Sequence, residues 1–150
     1  MTDNTAFLEK VKNQGHLEDI YDARDVTEVV YRTMRDLMST EAADRVGNEL
    51  RDKKEAVPSP KEVPQKEVAD LWKDTNPIVG FLSRVRPPLN FDGDTFLFRI
   101  SQEASLPKGV AAETVVQAIF SATKEQLSPE RVEEIATFLP DKIRQMWKRA

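Results

Sequence analysis

Apolar residues in this chain recur at spacings of three and four, which is the period of an amphipathic α-helix. The clearest stripe predicts a long helix, and its members are Ala23, Val26, Val30, Met34 and Leu37. A second stripe is apolar on two sides, which predicts a central, buried helix, and its members are Ala111, Val115, Val116, Ala118, Ile119, Phe120 and Ala122. No segment alternates like a β-strand. The pattern predicts an all-α fold.

The hydrophobic pattern occurs twice along the chain. Aligning Phe7 with Phe96 sets an offset of 89 residues, and the alignment runs without a gap to Lys53 and Lys142. Ten pairs are then identical: Phe7/Phe96, Leu8/Leu97, Leu17/Leu106, Ala23/Ala112, Val26/Val115, Ser39/Ser128, Glu41/Glu130, Leu50/Leu139, Asp52/Asp141 and Lys53/Lys142. Self-similarity at a fixed offset indicates an internal duplication.

The duplication predicts two tandem related repeats of three to four helices, packed as one compact helical bundle. We assign residues 3–73 to repeat one and residues 92–150 to repeat two. Repeat one carries a proline-rich insert at about 54–66, which predicts an extended surface loop. The segment 74–91 joins the repeats, and its apolar residues predict a short bridging helix over 76–85.

Three sequence positions predict the starts of helices. Ser39 and Ser128 each precede a Thr-Glu or Pro-Glu pair, and Asp92 precedes the first helix of repeat two. A serine or aspartate oxygen at such a position accepts a hydrogen bond from an unpaired backbone N–H of the first turn. Proline fits that first turn, and glutamate suits its positive end.

Each repeat closes on a helix that ends in tryptophan and lysine, at Trp72 and at Trp147. The equivalent placement favours a shared packing role, in which a large ring closes each half of the bundle. The alternative is an exposed anchor for a partner, because tryptophan and arginine dominate binding hot spots. Trp72, Trp147, Arg84 and Arg86 are therefore our candidate partner surface.

These motifs resemble a prokaryotic family of duplicated helical domains, domain of unknown function 2267. The resemblance rests on Ala112 to Val115, on Leu127-Ser128-Pro129-Glu130, and on Leu139-Pro140 to Trp147. Repeat one departs from the pattern at Leu50-Arg51, where Leu-Pro is expected. The resemblance implies an all-α fold with internal pseudo-symmetry, and it implies no activity, cofactor or catalytic residue.

The charge balance argues against a large nucleic-acid footprint, which needs a concentrated basic stripe. The formal net charge is −4 and the sequence pI is about 5.2. The last helix is the exception, since it carries Lys142, Arg144, Lys148 and Arg149. We interpret these cations mainly as complements to the negative end of the helix dipole. Nucleic-acid binding through this helix stays a third, weaker hypothesis.

The sequence predicts no catalytic, cofactor-binding or metal-binding residue. The chain has no cysteine, which excludes thiolate chemistry, disulfides and cysteine-type metal sites. The single histidine, His16, is interpreted as a solvated loop residue because metal-binding bundles need several ligands at defined spacing. Carboxylates such as Glu133 and Glu134 are interpreted as a solvated helix face. The glycines do not cluster into a phosphate-binding loop.

The amino terminus lacks the basic start and apolar core of a secretory signal, and no apolar run is long enough for a bilayer. We therefore expect a cytoplasmic protein of a prokaryote, with no membrane partner. A helical duplication without a catalytic constellation favours a non-catalytic interaction or regulatory module that binds a protein or peptide. The alternative is a small-ligand-binding protein or enzyme with a pocket between the repeats.

Overall fold

The structure, a computed structural model, describes residues 3–52, 72, 91–104, 106 and 109–150. Within these residues the regular elements are seven α-helices, and no strand occurs, so the predicted all-α fold is confirmed. The helices are α1 (Asp3–Gly15), α2 (Ile20–Leu37), α3 (Thr40–Asp52), α4 (Gly93–Ala104), α5 (Ala112–Lys124), α6 (Pro129–Ala136) and α7 (Asp141–Arg149). The predicted insert, the predicted bridging helix, Arg84 and Arg86 lie outside the described residues.

Helices α2 and α5 form the centre of the bundle. Helix α2 contacts α1, α4 and α5, while α5 contacts α1, α4 and α7. Helix α3 contacts α6, and α6 contacts α7. The predicted stripes of α2 and α5 face the core, since Val30, Met34, Val115 and Ile119 have no exposed surface. Ala111 departs from its predicted stripe because it is the exposed residue that precedes α5.

The three predicted helix starts are confirmed by their hydrogen bonds. Ser39 Oγ accepts from the backbone N–H three residues later at 3.2 Å, and Ser128 Oγ accepts at the same offset at 3.3 Å. Asp92 Oδ1 accepts from the N–H of Thr95 at 2.9 Å. Each bond satisfies one of the first-turn donors that lack a partner within the helix. These local signals therefore fix where α3, α4 and α6 begin.

Helix α1 ends through a left-handed residue that is not glycine. His16 follows Gly15 with a φ of 63°, and the N–H of Leu17 donates to the carbonyl of Lys12 at 3.0 Å. This hydrogen-bond pattern belongs to a Schellman-type helix end, at which glycine is usual because its backbone adopts positive φ without a steric cost. His16 is exposed, as predicted for a solvated loop residue.

Replacing His16 by glycine should raise the free energy of unfolding by about 0.5–1 kcal/mol, because the substitution relieves the left-handed strain. His16→Ala is the matched control, and it should change stability little because alanine keeps the Cβ that makes this conformation costly. Urea denaturation of the three proteins measures the effect. A loss of stability in His16→Gly would contradict the expectation and indicate that the imidazole makes a stabilising contact.

Candidate functional site

A polar cluster joins α3 to α6. Arg45 of α3 donates from Nε to Glu134 Oε2 at 2.9 Å and to Oε1 at 3.3 Å, and its Nη2 also donates to Oε2. Glu134 Oε1 accepts a further bond from Arg131 Nη1 at 2.9 Å. One carboxylate therefore holds two guanidinium groups, one from each helix, with charge-assisted hydrogen bonds.

Glu49 provides a second link between α3 and α6. Its Oε1 accepts from the backbone N–H of Ser128 at 2.7 Å, and its Oε2 accepts from Ser128 Oγ at 2.9 Å. Glu49 Oε2 also lies 3.6 Å from Nε of Arg131, whose side chain is almost buried. Because Ser128 is the cap of α6, Glu49 places a negative charge at the positive end of that helix.

The electrostatics of the cluster favour fixed charges. The hydrogen bond from Arg45 lowers the pKa of the Glu134 carboxyl, against an opposing effect of partial desolvation, and the charges of Arg131 and Arg45 lower it further. The same hydrogen bond raises the pKa of the Arg45 guanidinium. General acid–base catalysis at neutral pH needs a carboxyl whose pKa is raised instead. The geometry therefore suits a structural link between helices.

Our prediction that Glu134 belongs to a solvated helix face is wrong in part. Its side chain is 19% exposed, whereas the neighbouring Glu133 is exposed. Adjacent helical residues point in different directions, so one of the two meets the facing helix and the other meets solvent. Which of them faces α3 depends on the tertiary packing of α6.

The lowered pKa of Glu134 predicts a loss of stability in acid. Stability from this carboxylate is complete above its ordinary pKa of 4.5 and is lost as the pH falls through the lower pKa of the folded state. Glu134→Gln should therefore show a smaller decline in the free energy of unfolding between about pH 5 and pH 3. Glu133→Gln is the control and should decline like the wild type. Equal acid profiles for Glu134→Gln and the wild type would contradict the role of this carboxylate.

Both tryptophans of the candidate partner surface lie in the core. Trp72 is 2% exposed and Trp147 is 0% exposed. The indole N–H of Trp72 donates to the carbonyl of Ala43 at 2.8 Å, and that of Trp147 donates to the carbonyl of Val132 at 2.9 Å. The packing interpretation therefore describes these two rings, and the candidate surface contains no exposed tryptophan. Arg84 and Arg86 stay predicted members of it.

Each tryptophan packs edge-on against an aromatic ring of a central helix. The Trp72 and Tyr31 ring centroids are 5.0 Å apart at an interplanar angle of 67°, and those of Trp147 and Phe120 are 5.0 Å apart at 82°. This edge-to-face arrangement matches the positive ring edge to the negative ring face. The two rings therefore pack Trp72 against α2 and fix α7 on α5.

A buried hydroxyl pair connects α2 to α5. Tyr31 Oη lies 2.7 Å from Thr123 Oγ1, and both residues have no exposed surface. Burial raises the pKa of the Tyr31 phenol well above its ordinary value, while the hydrogen bond with Thr123 opposes this effect in part. Each hydroxyl satisfies the other in an apolar environment, where an unpaired hydroxyl is costly. The sequence offered no local signal for this pair, because its members lie in different helices far apart in the chain.

An open depression of about 320 Å³ lies between α1 and α5. It is lined by Gln14, Glu113, Thr114, Gln117 and Ala118. Glu113 is the one ionisable side chain among these, and Lys142 Nζ lies 3.4 Å from its Oε2. Acid–base chemistry needs two positioned titratable groups in a closed site. The depression therefore gives the enzyme hypothesis no support.

Among the residues that the structure describes, two large hydrophobic side chains are exposed. Phe98 on α4 is 63% exposed, and Tyr21 at the start of α2 is 62% exposed. Tyr21 carries the guanidinium of Arg24, 5.4 Å from its ring centroid. Neither residue was predicted from the sequence. For Phe98 the offset of 89 residues offered a signal, because it aligns this aromatic residue with the charged Glu9.

Part of the positive charge of the basic last helix, α7, is paired with other groups of the chain. Lys142 Nζ lies 3.1 Å from Asp94 Oδ1, and Arg144 donates to the carbonyls of Ala136 and Leu139 at 2.9 Å and 3.0 Å. These contacts hold α7 against its neighbours. Lys148 and Arg149 are exposed near the helix end. Lys148, Arg149 and the paired Lys142 are the exposed cations of α7, and they fall short of the basic stripe that nucleic-acid binding needs.

No group of three or more His, Cys, Asp or Glu side chains in the described part of the chain could hold a metal ion. None of the helices that the structure describes is long and apolar enough to cross a membrane.

The chain was compared with known proteins. The sequence profile of an uncharacterised conserved protein family, domain of unknown function 2267 (DUF2267), matches residues 4–146. No curated protein matches the chain. The match covers nearly the whole sequence, as expected from the resemblance of the helix-start and tryptophan motifs. The chain therefore belongs to the DUF2267 family of uncharacterised conserved proteins.

Proposed function

We propose that the chain consists of two related helical repeats that associate around a pseudo-two-fold axis. Two ion pairs between the halves support this proposal. Lys10 pairs with Glu125, and Arg99 pairs with Asp36 at 3.1 Å. At the offset of 89 residues, Lys10 is equivalent to Arg99 and Asp36 is equivalent to Glu125. Such reciprocal contacts, i with j and j with i, are characteristic of a two-fold interface.

The aromatic cores of the two halves support the same architecture. Phe7 and Tyr31 have ring centroids 6.4 Å apart at 55°, and the equivalent Phe96 and Phe120 have centroids 6.4 Å apart at 56°. The carbonyl acceptors of the two indole N–H groups are also equivalent positions. The proposed bridging helix over 76–85 would join the two halves.

A cationic side chain donates to the backbone carbonyl of each tryptophan, and the two cations stand at equivalent positions. Arg35 Nη1 donates to the carbonyl of Trp72, and Lys124 Nζ donates to the carbonyl of Trp147 at 2.7 Å. Positions 35 and 124 differ by the same offset of 89 residues. A cation is favourable at a carbonyl near a helix end because that end carries a partial negative charge.

We propose that this pseudo-symmetric bundle is a non-catalytic interaction module that binds a protein or peptide in the cytoplasm of a prokaryote. The observation that carries the proposal is Phe98, which is 63% exposed in the middle of α4. Aromatic residues are enriched at interface centres because they bury a large apolar area. Thr95, Ser101 and Gln102, its neighbours at helical spacing, are exposed polar residues that would form the rim.

The equivalent position in repeat one supplies a matched control. Glu9 is exposed on α1, with Lys12 Nζ 3.7 Å from its carboxylate. The proposed duplication gives the two residues the same helical position, so the glutamate indicates that the fold does not require an aromatic ring there. The ring of Phe98 is therefore better explained by binding than by folding.

The test compares wild type, Phe98→Ser and Glu9→Ser as baits in extract of the source organism, followed by calorimetry on the purified partner. We expect Phe98→Ser to weaken binding by about tenfold or more, because central aromatic residues are typical hot spots. Glu9→Ser should change the affinity less than about twofold. Two results would overturn the proposal. One is an affinity that Phe98→Ser leaves unchanged, and the other is that no protein is enriched on the wild-type bait over the Phe98→Ser bait.

A further inference from the structure

The interface between the proposed repeats contains contacts that two copies of the same repeat could also make. In an association of repeat one with repeat one of a second chain, Lys10 would face Asp36 of the other copy. In an association of two copies of repeat two, Arg99 would face Glu125 of the other copy. Both pairs have opposite charges. These ion pairs could therefore form between like repeats as well as between unlike repeats, and they do not distinguish the two.

The pair Arg45–Glu134 behaves differently because its two members are equivalent to each other. Position 134 is position 45 plus the offset of 89 residues. On a two-fold axis a residue meets its own equivalent. Two copies of repeat one would therefore place Arg45 against Arg45, and two copies of repeat two would place Glu134 against Glu134. The ion pair forms between unlike repeats, and like repeats face charge repulsion.

The buried hydroxyl pair of Tyr31 and Thr123 also favours the association of unlike repeats over that of like repeats. Thr123 is equivalent to Met34, and Tyr31 is equivalent to Phe120. Two copies of repeat one would place the Tyr31 hydroxyl against a methionine, and two copies of repeat two would place the Thr123 hydroxyl against a phenylalanine. Each like association would bury hydroxyl groups without their partners, whereas the unlike association satisfies both at 2.7 Å.

We propose that Arg45–Glu134 and Tyr31–Thr123 make the two halves of this chain mutually selective, so that repeat one closes on repeat two and not on a second copy of itself. The surface is the contact of α2 with α5 and of α3 with α6, and its partner is the unlike repeat. This inference rests on the two-repeat architecture proposed above. Specificity of this kind requires contacts that penalise the wrong partner as well as contacts that favour the right one.

The test makes the two halves alike at these positions in the full chain. The variant Tyr31→Phe, Arg45→Gln, Thr123→Met, Glu134→Gln has the same residue in both repeats at each equivalent position of the two pairs. Isotopically heavy and light chains are mixed, unfolded in urea and refolded, and dimers of mixed mass are counted against monomers by native mass spectrometry. A dimer in which repeat one of each chain packs on repeat two of the other has the same interface contacts as the monomer, so the substitutions should not favour it over the monomer. A higher dimer-to-monomer ratio therefore reports the association of like repeats.

We expect the ratio to rise on the order of tenfold over the wild type, since an unsatisfied buried hydroxyl no longer penalises the like association. The milder variant Arg45→Gln, Glu134→Gln should raise it about twofold to fivefold, because it relieves partly exposed charges alone. The milder variant also keeps the core intact, so it tests the selectivity of the repeats even if the variant with four substitutions fails to fold. An unchanged ratio in the variants that fold overturns the inference.

Two controls separate selectivity from general destabilisation. Thr27 and Thr33 are buried, and their hydroxyls donate to carbonyls of their own helix at 2.7 Å and 2.8 Å. Thr27→Val, Thr33→Val therefore removes two buried hydroxyls whose hydrogen bonds stay within α2, and its ratio should equal that of the wild type. Arg45→Glu, Glu134→Arg keeps opposite charges between unlike repeats and like charges between like repeats, although it places a cation beside Arg131, so its ratio should not exceed that of the wild type. Phe98 is unchanged in every variant, so this experiment tests the selectivity of the repeats and leaves the test of partner binding independent of it.

Discussion

Replacing Trp147 by alanine should lower the free energy of unfolding by about 3–5 kcal/mol, the largest single-residue effect that we expect. The Trp147 side chain has no exposed surface, packs edge-on against Phe120 with the ring centroids 5.0 Å apart, and donates its indole N–H to the carbonyl of Val132. Alanine removes the ring and leaves a cavity beside the central helix α5. It also leaves the Val132 carbonyl without this donor.

The measurement is the midpoint of urea unfolding, followed by circular dichroism. Trp147→Phe is the matched control, since it keeps an aromatic ring but loses the indole N–H, and it should cost clearly less than alanine. A loss below about 1 kcal/mol for Trp147→Ala would contradict the buried role of this residue and return it to the candidate partner surface.

Removing one member of the buried hydroxyl pair should cost about 1–3 kcal/mol, because the other member then stays buried without a partner. Thr123→Val keeps the volume of the side chain and leaves the Tyr31 hydroxyl unpaired. Tyr31→Phe keeps the ring against Trp72 and leaves the Thr123 hydroxyl unpaired. Both residues have no exposed surface, so water does not replace the lost bond readily.

The double variant Tyr31→Phe, Thr123→Val distinguishes this explanation from loss of packing. It removes both hydroxyls, so no buried polar group is stranded, and its cost should be smaller than the sum of the single costs by about 1 kcal/mol. Thermal or urea unfolding of the four proteins completes the cycle. Additive costs would show that the two hydroxyls do not interact in the folded protein.

The DUF2267 family is uncharacterised, so membership of it assigns no activity to this chain. The two tryptophans contribute to the core, and the charged cluster at α3 and α6 joins two helices. Phe98 is different, because neither burial nor hydrogen bonding explains an aromatic ring at that position. We therefore propose the exposed face of α4 as the partner surface in place of Trp72 and Trp147.

Local patterns were sufficient to predict the helices and several of their ends. The apolar stripe of α2 has the period of a helix, and Ser39, Asp92 and Ser128 cap helix starts as expected. These features depend on residues within one or two turns of each other, so a single stretch of sequence contains the whole interaction. The internal offset of 89 residues likewise required nothing beyond the chain itself.

The tertiary structure decided how the helices meet. The sequence left Trp72 and Trp147 open between core and surface, and it placed Glu134 on a solvated face. It gave no sign that Tyr31 meets Thr123 or that Arg45 meets Glu134. These contacts join residues about 90 positions apart, and local periodicity cannot specify which faces of distant helices come together. Sequence determined the helical elements, whereas packing determined which side chains are buried, paired or exposed.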